Sequence, residues 1–285
     1  RSRWLFVAPA VLLLLGLTAY PFGYAIYISL HTWKVTRPAR PFVGFDNFRD
    51  LLFDDERFIN SIEQTLIIAS SALVLEFLFG LVMALLFWTA YQRVRWVATG
   101  ILVPMMIAPV VVGFTARMAF NNSFGFLNQI LSLLWPGDVN IQWLSDPTLA
   151  PVVIILADTW QWGPFMFLIL LAGLLATEGD QLEAAVVDGA KGFRLFWHVV
   201  LPSIKPILLI ALVLRGLDLL RTFDLVALAT RGGPGISSET ITYYIYNLSF
   251  KFFDLGMGAA AALLMLGGLS IVVFFAVRSV VRAAR

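Results

Sequence analysis

Six long apolar stretches constrain this chain more than any other feature. A helix needs about 20 mainly apolar residues to cross the hydrocarbon core of a bilayer. Stretches of about that length fall at roughly 4–30, 65–88, 97–118, 149–171, 207–230 and 255–277. The first is too long for a secretion peptide and carries no cleavage signal. The ten-residue alternation of a membrane barrel is missing, so the spans are helices with their backbone hydrogen bonds satisfied internally. Composition agrees: 60% of the 285 residues are apolar and 13% charged, about half the charge of a soluble domain. The expected fold is an all-α integral membrane protein with six transmembrane helices, organised as a single domain over residues 1–285.

The same composition excludes much chemistry. There is no cysteine, hence no disulfide, thiolate metal site or cysteine nucleophile. His31 and His198 are too few and too far apart to suggest a metal cluster. Lys34, Lys191, Lys205 and Lys251 are the four lysines, and none follows a glycine. A phosphate-binding loop of the Walker type needs Gly-Lys, so any ATP-driven work falls to another polypeptide. The basic residues sit between apolar stretches, where topology accounts for them and nucleic-acid binding is not expected.

With the N-terminus inside, the inner side holds Arg1, Arg3, Arg93, Arg95, Lys191, Arg194, Lys205, Arg278, Arg282 and Arg285. The outer side holds Lys34, Arg37, Arg40, Arg49, Arg57, Arg117, Arg231 and Lys251. The bias is slight. The short loop at Arg93 and Arg95 and the C-terminal tail favour cytoplasmic termini, being basic without acidic partners. Residues 41–61 mix phenylalanine, leucine and charge, as expected of one or two short amphipathic helices at the membrane surface.

The connection at about 173–206, containing TEGDQLEAAVVDGAKGFRLFWHVVLPSIKP, is long yet reads as structured. Good helix formers occupy Glu183 to Val187, and Gly189 and Gly192 punctuate them. A second helix is expected from Phe193 to Val200, ended by Pro202 and Pro206. A partly apolar surface of this kind on the cytoplasmic side suits a protein partner. Glu183-Ala184-Ala185, Asp188-Gly189-Ala190, Phe196, Val199-Val200, Leu201-Pro202 and Pro206 together resemble the signature of the permease subunits of binding-protein-dependent ABC importers. FVGFDNFRDLL after the first span, and TFDLVALATRGGPG running into the sixth, resemble the sugar-type branch, whose members include maltose, trehalose and glycerol-phosphate permeases. Arg231 departs from that branch, where a small residue usually precedes the glycines.

The resemblance implies a six-helix permease bundle with a cytoplasmic coupling helix. Glu183, Ala184, Ala185, Asp188, Gly189, Ala190, Phe196, Leu201 and Pro202 would dock an ATP-hydrolysing subunit, present in two copies and carrying the ATP and magnesium. This chain would bind no cofactor of its own. It further implies a second permease subunit, an extracytoplasmic substrate-binding protein, a sugar, polyol or glycerol-phosphate solute, and a bacterial or archaeal plasma membrane.

Charges inside the apolar stretches are the remaining signal, since each central Arg or Asp costs about 2.5–3.5 kcal/mol to insert. Arg215, Asp218, Arg221 and Asp224 recur every three residues, so neighbours can pair along a helix. They suit either internal ion pairs that fix helix packing or a polar lining for a hydroxyl-rich solute. Arg221 and Asp224 are the better candidates for the lining, and Arg215 and Asp218 look structural. Asp158, Gln161 and Asn121 are further candidates for the path. Glu76, Arg117 and Asn122 complete the polar interruptions, and Trp160 and Trp162 are close by, suited either to stacking on a sugar ring or to an interfacial aromatic belt. A stand-alone transporter driven by an ion gradient, with the intramembrane acids as ion sites, is the alternative. No inverted repeat is visible to support it.

Overall fold

The computed structural model describes residues 2–88, 91–135, 139–177, 184–185 and 187–283. In chain order the helices are α1 (Ser2–Ser29), α2 (Asp46–Arg49), α3 (Glu56–Trp88), α4 (Tyr91–Ile101), α5 (Pro109–Ala119), α6 (Phe126–Leu134), α7 (Leu149–Leu175), α8 (Phe193–Leu195), α9 (Leu201–Leu219), α10 (Ile241–Tyr246) and α11 (Leu255–Ala283). Wide π turns at Asp50–Asp54, Phe196–Val200, Val226–Thr230 and Asn247–Lys251 extend several of them.

Among the described residues, five helical runs are long and apolar enough to cross a membrane: Val7–Ser29, Glu56–Trp88, Leu149–Leu175, Phe196–Leu219 and Leu255–Val280. Pro109–Ala119 is apolar but shorter. α3 begins nine residues ahead of its apolar stretch because Asp55 caps it: the Asp55 carboxylate accepts the Phe58 N–H at 2.8 Å.

Two stretches that look continuous in sequence are broken. The third becomes α4, a 3-10 turn at Val103–Met106 and α5, because Pro104 and Pro109 lack the N–H groups that would continue the helix. The fifth ends at Leu219 instead of running to 230. Arg221 N and Thr222 N close back onto Asp218 O and Leu219 O at 3.0 and 3.1 Å, a tight terminal turn. The Thr240 hydroxyl donates to the Thr222 carbonyl at 3.1 Å, satisfying one group that the break leaves free. In the other direction, Pro202 and Pro206 do not end a helix. Pro202 sits in the first turn of α9 and Pro206 lies within it. The preceding π turn closes with Leu201 N on Phe196 O, so the helical path carries through the prolines.

The chain divides into two compact units. One comprises Arg1–Ser61 and Ile241–Leu269. There Lys34 Nζ meets Asp254 Oδ2 at 2.9 Å, and Asn47 Nδ2 donates to the Ser29 and His31 carbonyls at 2.7 and 3.0 Å. Tyr244, fully buried against Phe58, donates its hydroxyl to Asp55 at 2.5 Å.

The other comprises Ile62–Thr240 and Ser270–Arg285. α7 is its most enclosed span, whereas the apolar window of α1 in the first unit is wholly unburied. Met166, Phe167, Leu170 and Leu174 of α7 pack with Ala84 of α3, Ala98 of α4, and Val200, Ile204 and Ala211 around α9. α3 and α7 come close at Gly80 of α3, where a Cβ would stand 2.7 Å from Phe167 N and 2.8 Å from Met166 C. This lets three helices converge on one polar centre.

Candidate functional site: a buried ion node beside a polar cavity

Arg215 on α9 is buried to 3% exposure between α3 and α7. Its Nε donates to Glu76 Oε2 at 2.8 Å and its Nη2 to Glu76 Oε1 at 2.9 Å, a two-pronged pair that lysine could not reproduce. Nη2 also bonds Asp158 Oδ2, and Nη1 bonds Asp218 Oδ2 at 2.6 Å. The guanidinium lies 5.0 Å from the centre of the Trp162 ring, within cation–π range. Glu76 and Asp158 are as buried as the arginine, while the Asp218 side chain is half exposed. One guanidinium therefore ties three helices together, and the bonds satisfy charges that lipid would not tolerate.

A cavity of about 160 Å³ opens beside this node, lined by Asp158, Gln161, Trp162, Asp218, Arg221 and Asp224 among others. Gln161 is fully buried. Its Nε2 donates to the Ile107 carbonyl at 2.8 Å, which the break between the 3-10 turn and α5 leaves free, and its Oε1 has no partner. Arg221 and Asp224 are exposed. Arg221 makes no ion pair among the described residues, its Nε reaching only the Leu217 carbonyl at 3.3 Å.

Of the expected path residues, Asp158, Gln161, Arg221 and Asp224 thus meet at one cavity. Asn121 does not: its Oδ1 accepts from Ser123 N and Phe124 N at 2.9 and 3.3 Å in the turn before α6. Pairing along α9 is realised between Arg215 and Asp218 but not at Arg221, because the helix ends before it. The partner that sequence reasoning missed is Glu76, 139 positions from Arg215. Its only sequence signal is that an acid isolated in an apolar stretch needs a cation from elsewhere. Trp162 reaches the node, while Trp160 lines a separate apolar groove between α5, α6 and α7.

In the connection after α7, Glu183 lies outside the described residues. Ala184 and Ala185 are helical. Asp188 N bonds Ala184 O at 3.0 Å and Ala190 N bonds Ala185 O at 2.9 Å. Gly189 sits at φ 83° and Gly192 at φ 51°, so the helix stops in a glycine-dependent left-handed cap. Val187 is 86% exposed, and Asp188 and Pro202 are exposed too, while Phe196 and Leu201 are half-buried. Among the described residues no His, Asp and Glu cluster fits a metal ion.

Several apolar helices, a polar cavity held among them and an exposed structured turn define a multi-pass membrane transport protein. Residues 76–285 match the family described as binding-protein-dependent transport system inner membrane component, and the chain belongs to that family. It is 34% identical over 279 residues to the trehalose transport system permease protein SugA of Mycobacterium tuberculosis, covering 98% of this chain and 88% of that one. It is 35% identical over 264 residues to the trehalose/maltose transport system permease protein MalF of Thermococcus litoralis, covering 93% and 88%. Its fold matches a chain from the crystal structure of a bacterial ABC transporter involved in the import of the acidic polysaccharide alginate. That match has a TM-score of 0.83 at 24% identity, over 99% of this chain and 96% of the other.

Proposed function

We propose that residues 1–285 work as one permease domain of an ATP-driven importer of a sugar or sugar-like solute. An ATP-binding subunit, present in two copies that carry the ATP and magnesium, docks on Glu183, Ala184, Ala185, Asp188, Gly189 and Ala190 and on Phe196, Leu201 and Pro202. A second permease subunit completes the pore, and an extracytoplasmic binding protein delivers the solute. The chain spans the plasma membrane of a bacterium or archaeon with both termini in the cytoplasm, surrounded by lipid.

The observation that carries this reading is the exposed, glycine-capped turn leading through α8 and a π turn into α9, the helix that bears Arg215. A push on the turn is transmitted along α9 to the node and from there to α3 and α7. Rigid helices so linked can exchange an inward-open for an outward-open cavity. Asp158, Gln161, Arg221 and Asp224 offer a hydroxylated solute donors and acceptors at the cavity, and Asn121 lies off this part of the path. The chain supplies movement and binding, and the partner supplies hydrolysis.

Gentle affinity purification from native membranes tests the proposal. An ATP-hydrolysing subunit should co-purify with the chain and be lost on Gly189→Trp. Recovery of the chain alone, with solute transport intact in the absence of ATP, contradicts it.

A further inference from the structure

The charge balance of the cavity beside Arg215 selects among solutes, and this inference rests on the proposed reading that the cavity lies on the transport path. We infer that it admits the donor-rich end of a neutral or cationic polyhydroxylated solute, such as a sugar, polyol or amino sugar, and turns away carboxylated and phosphorylated ones.

The argument begins with what the cations have left to offer. A guanidinium has five N–H groups, and four hydrogen bonds already occupy Arg215: two to Glu76, one to Asp158 and one to Asp218. One N–H on Nη1 is left, too few for a two-pronged grip on a substrate anion. Arg221 is the other cation on the wall, with its Nε turned to a backbone carbonyl. Asp218 and Asp224, both exposed, line the same cavity. Along the wall, two guanidinium groups stand against the three carboxyl groups of Asp158, Asp218 and Asp224.

Gln161 is an independent sign of a ligand. The residue lines the cavity yet is fully buried, its donor is engaged by Ile107, and its oxygen has no partner. An unmet buried acceptor is costly, and a substrate hydroxyl or ammonium supplies the missing proton. The wall is therefore rich in acceptors, which suits donors and repels a second anion. At about 160 Å³ the space is below the range of about 300–1,000 Å³ that encloses drug-sized ligands. It grips one end of the solute.

The absence of cysteine permits a direct test. Thr222→Cys, or Phe223→Cys should the first variant fail to accumulate, places a single thiol on the cavity wall. In membrane vesicles its reaction rates are compared for the cationic trimethylammonium-ethyl and the anionic sulfonato-ethyl methanethiosulfonates, each normalised to the rate with 2-mercaptoethanol. A net negative wall within about 8 Å should favour the cation on the order of tenfold. Asp218→Asn combined with Asp224→Asn should bring the ratio near one. A normalised ratio within twofold of one in the parent, or one untouched by the double substitution, overturns the inference.

Uptake of radiolabelled trehalose and maltose by the same cells, before and after labelling, separates this from failure of the transport reading. Blocked uptake with a ratio near one refutes the charge selection alone. A high ratio with uptake unaffected by complete labelling removes the cavity from the path and overturns the inference through its premise.

Discussion

Replacing Arg215 by methionine tests the ion node most sharply. The substitution keeps much of the side-chain length and apolar volume but deletes four hydrogen bonds. Glu76 and Asp158 are left facing each other without a cation, at 0% and 3% exposure. Breaking a buried ion pair by removing one partner costs about 3–5 kcal/mol. The Asp218 contact adds little, because that side chain is half exposed and water can take over. Most of the loss therefore comes from the two stranded carboxyl groups. Neutralising them should recover it, since a buried charge set can often be exchanged for neutral groups at little net cost. The assay is the fraction of detergent-purified chain that stays monodisperse after heating, followed by fluorescence-detected size exclusion. Arg215→Met should lower the midpoint clearly, Arg215→Lys should fall between because it loses the fork, and the triple variant Glu76→Gln, Asp158→Asn, Arg215→Met should approach the parent. A parent-like midpoint for Arg215→Met, or a triple variant less stable than the single one, would refute the reasoning.

Three further substitutions probe separate parts of the structure. Gly80→Ala puts a methyl group 2.7 Å from the backbone nitrogen of Phe167; α3 and α7 must part, and the same heating assay should register a loss of about 1–3 kcal/mol. Tyr244→Phe removes the 2.5 Å bond to Asp55 and should cost about 1.5 kcal/mol, visible as earlier proteolysis around residues 46–54. Gly189→Val forces a branched side chain into φ 83° at a position with no atom within 4 Å of its Cβ. Accumulation should stay near normal while ATP-driven sugar uptake falls severalfold, as uptake and immunoblotting of the same cells would establish.

The long apolar runs at 65–88, 149–171 and 255–277 were readable because lipid demands continuous apolar sequence whatever the tertiary contacts. Where helices stop inside such runs was less readable. Pro104 and Pro109 break the third stretch while Pro202 and Pro206 do not break the fifth. The difference lies in which carbonyls find other donors: Gln161 takes Ile107 O, and the π turn before α9 closes on Phe196 O. The three-residue spacing of the charges suggested pairing along one helix. That holds for Arg215 and Asp218, but the main partners of Arg215 come from α3 and α7. No local pattern connects Glu76 to a cation 139 residues away. The cavity was legible in part, because Asp158 and Gln161 share a helix face at a spacing of three. Its far wall exists because α9 ends at Leu219, which sequence did not reveal.

The central claim is that this permease moves solute only when a partner hydrolyses ATP. The most direct measurement places the purified complex in sealed proteoliposomes and follows the entry of neutral disaccharides, trehalose and maltose among them, with the binding protein outside. Uptake should require ATP on the side of the Ala184–Gly189 turn and stop on Gly189→Val. Uptake driven by an imposed proton or sodium gradient, without ATP and without any other subunit, would contradict the account.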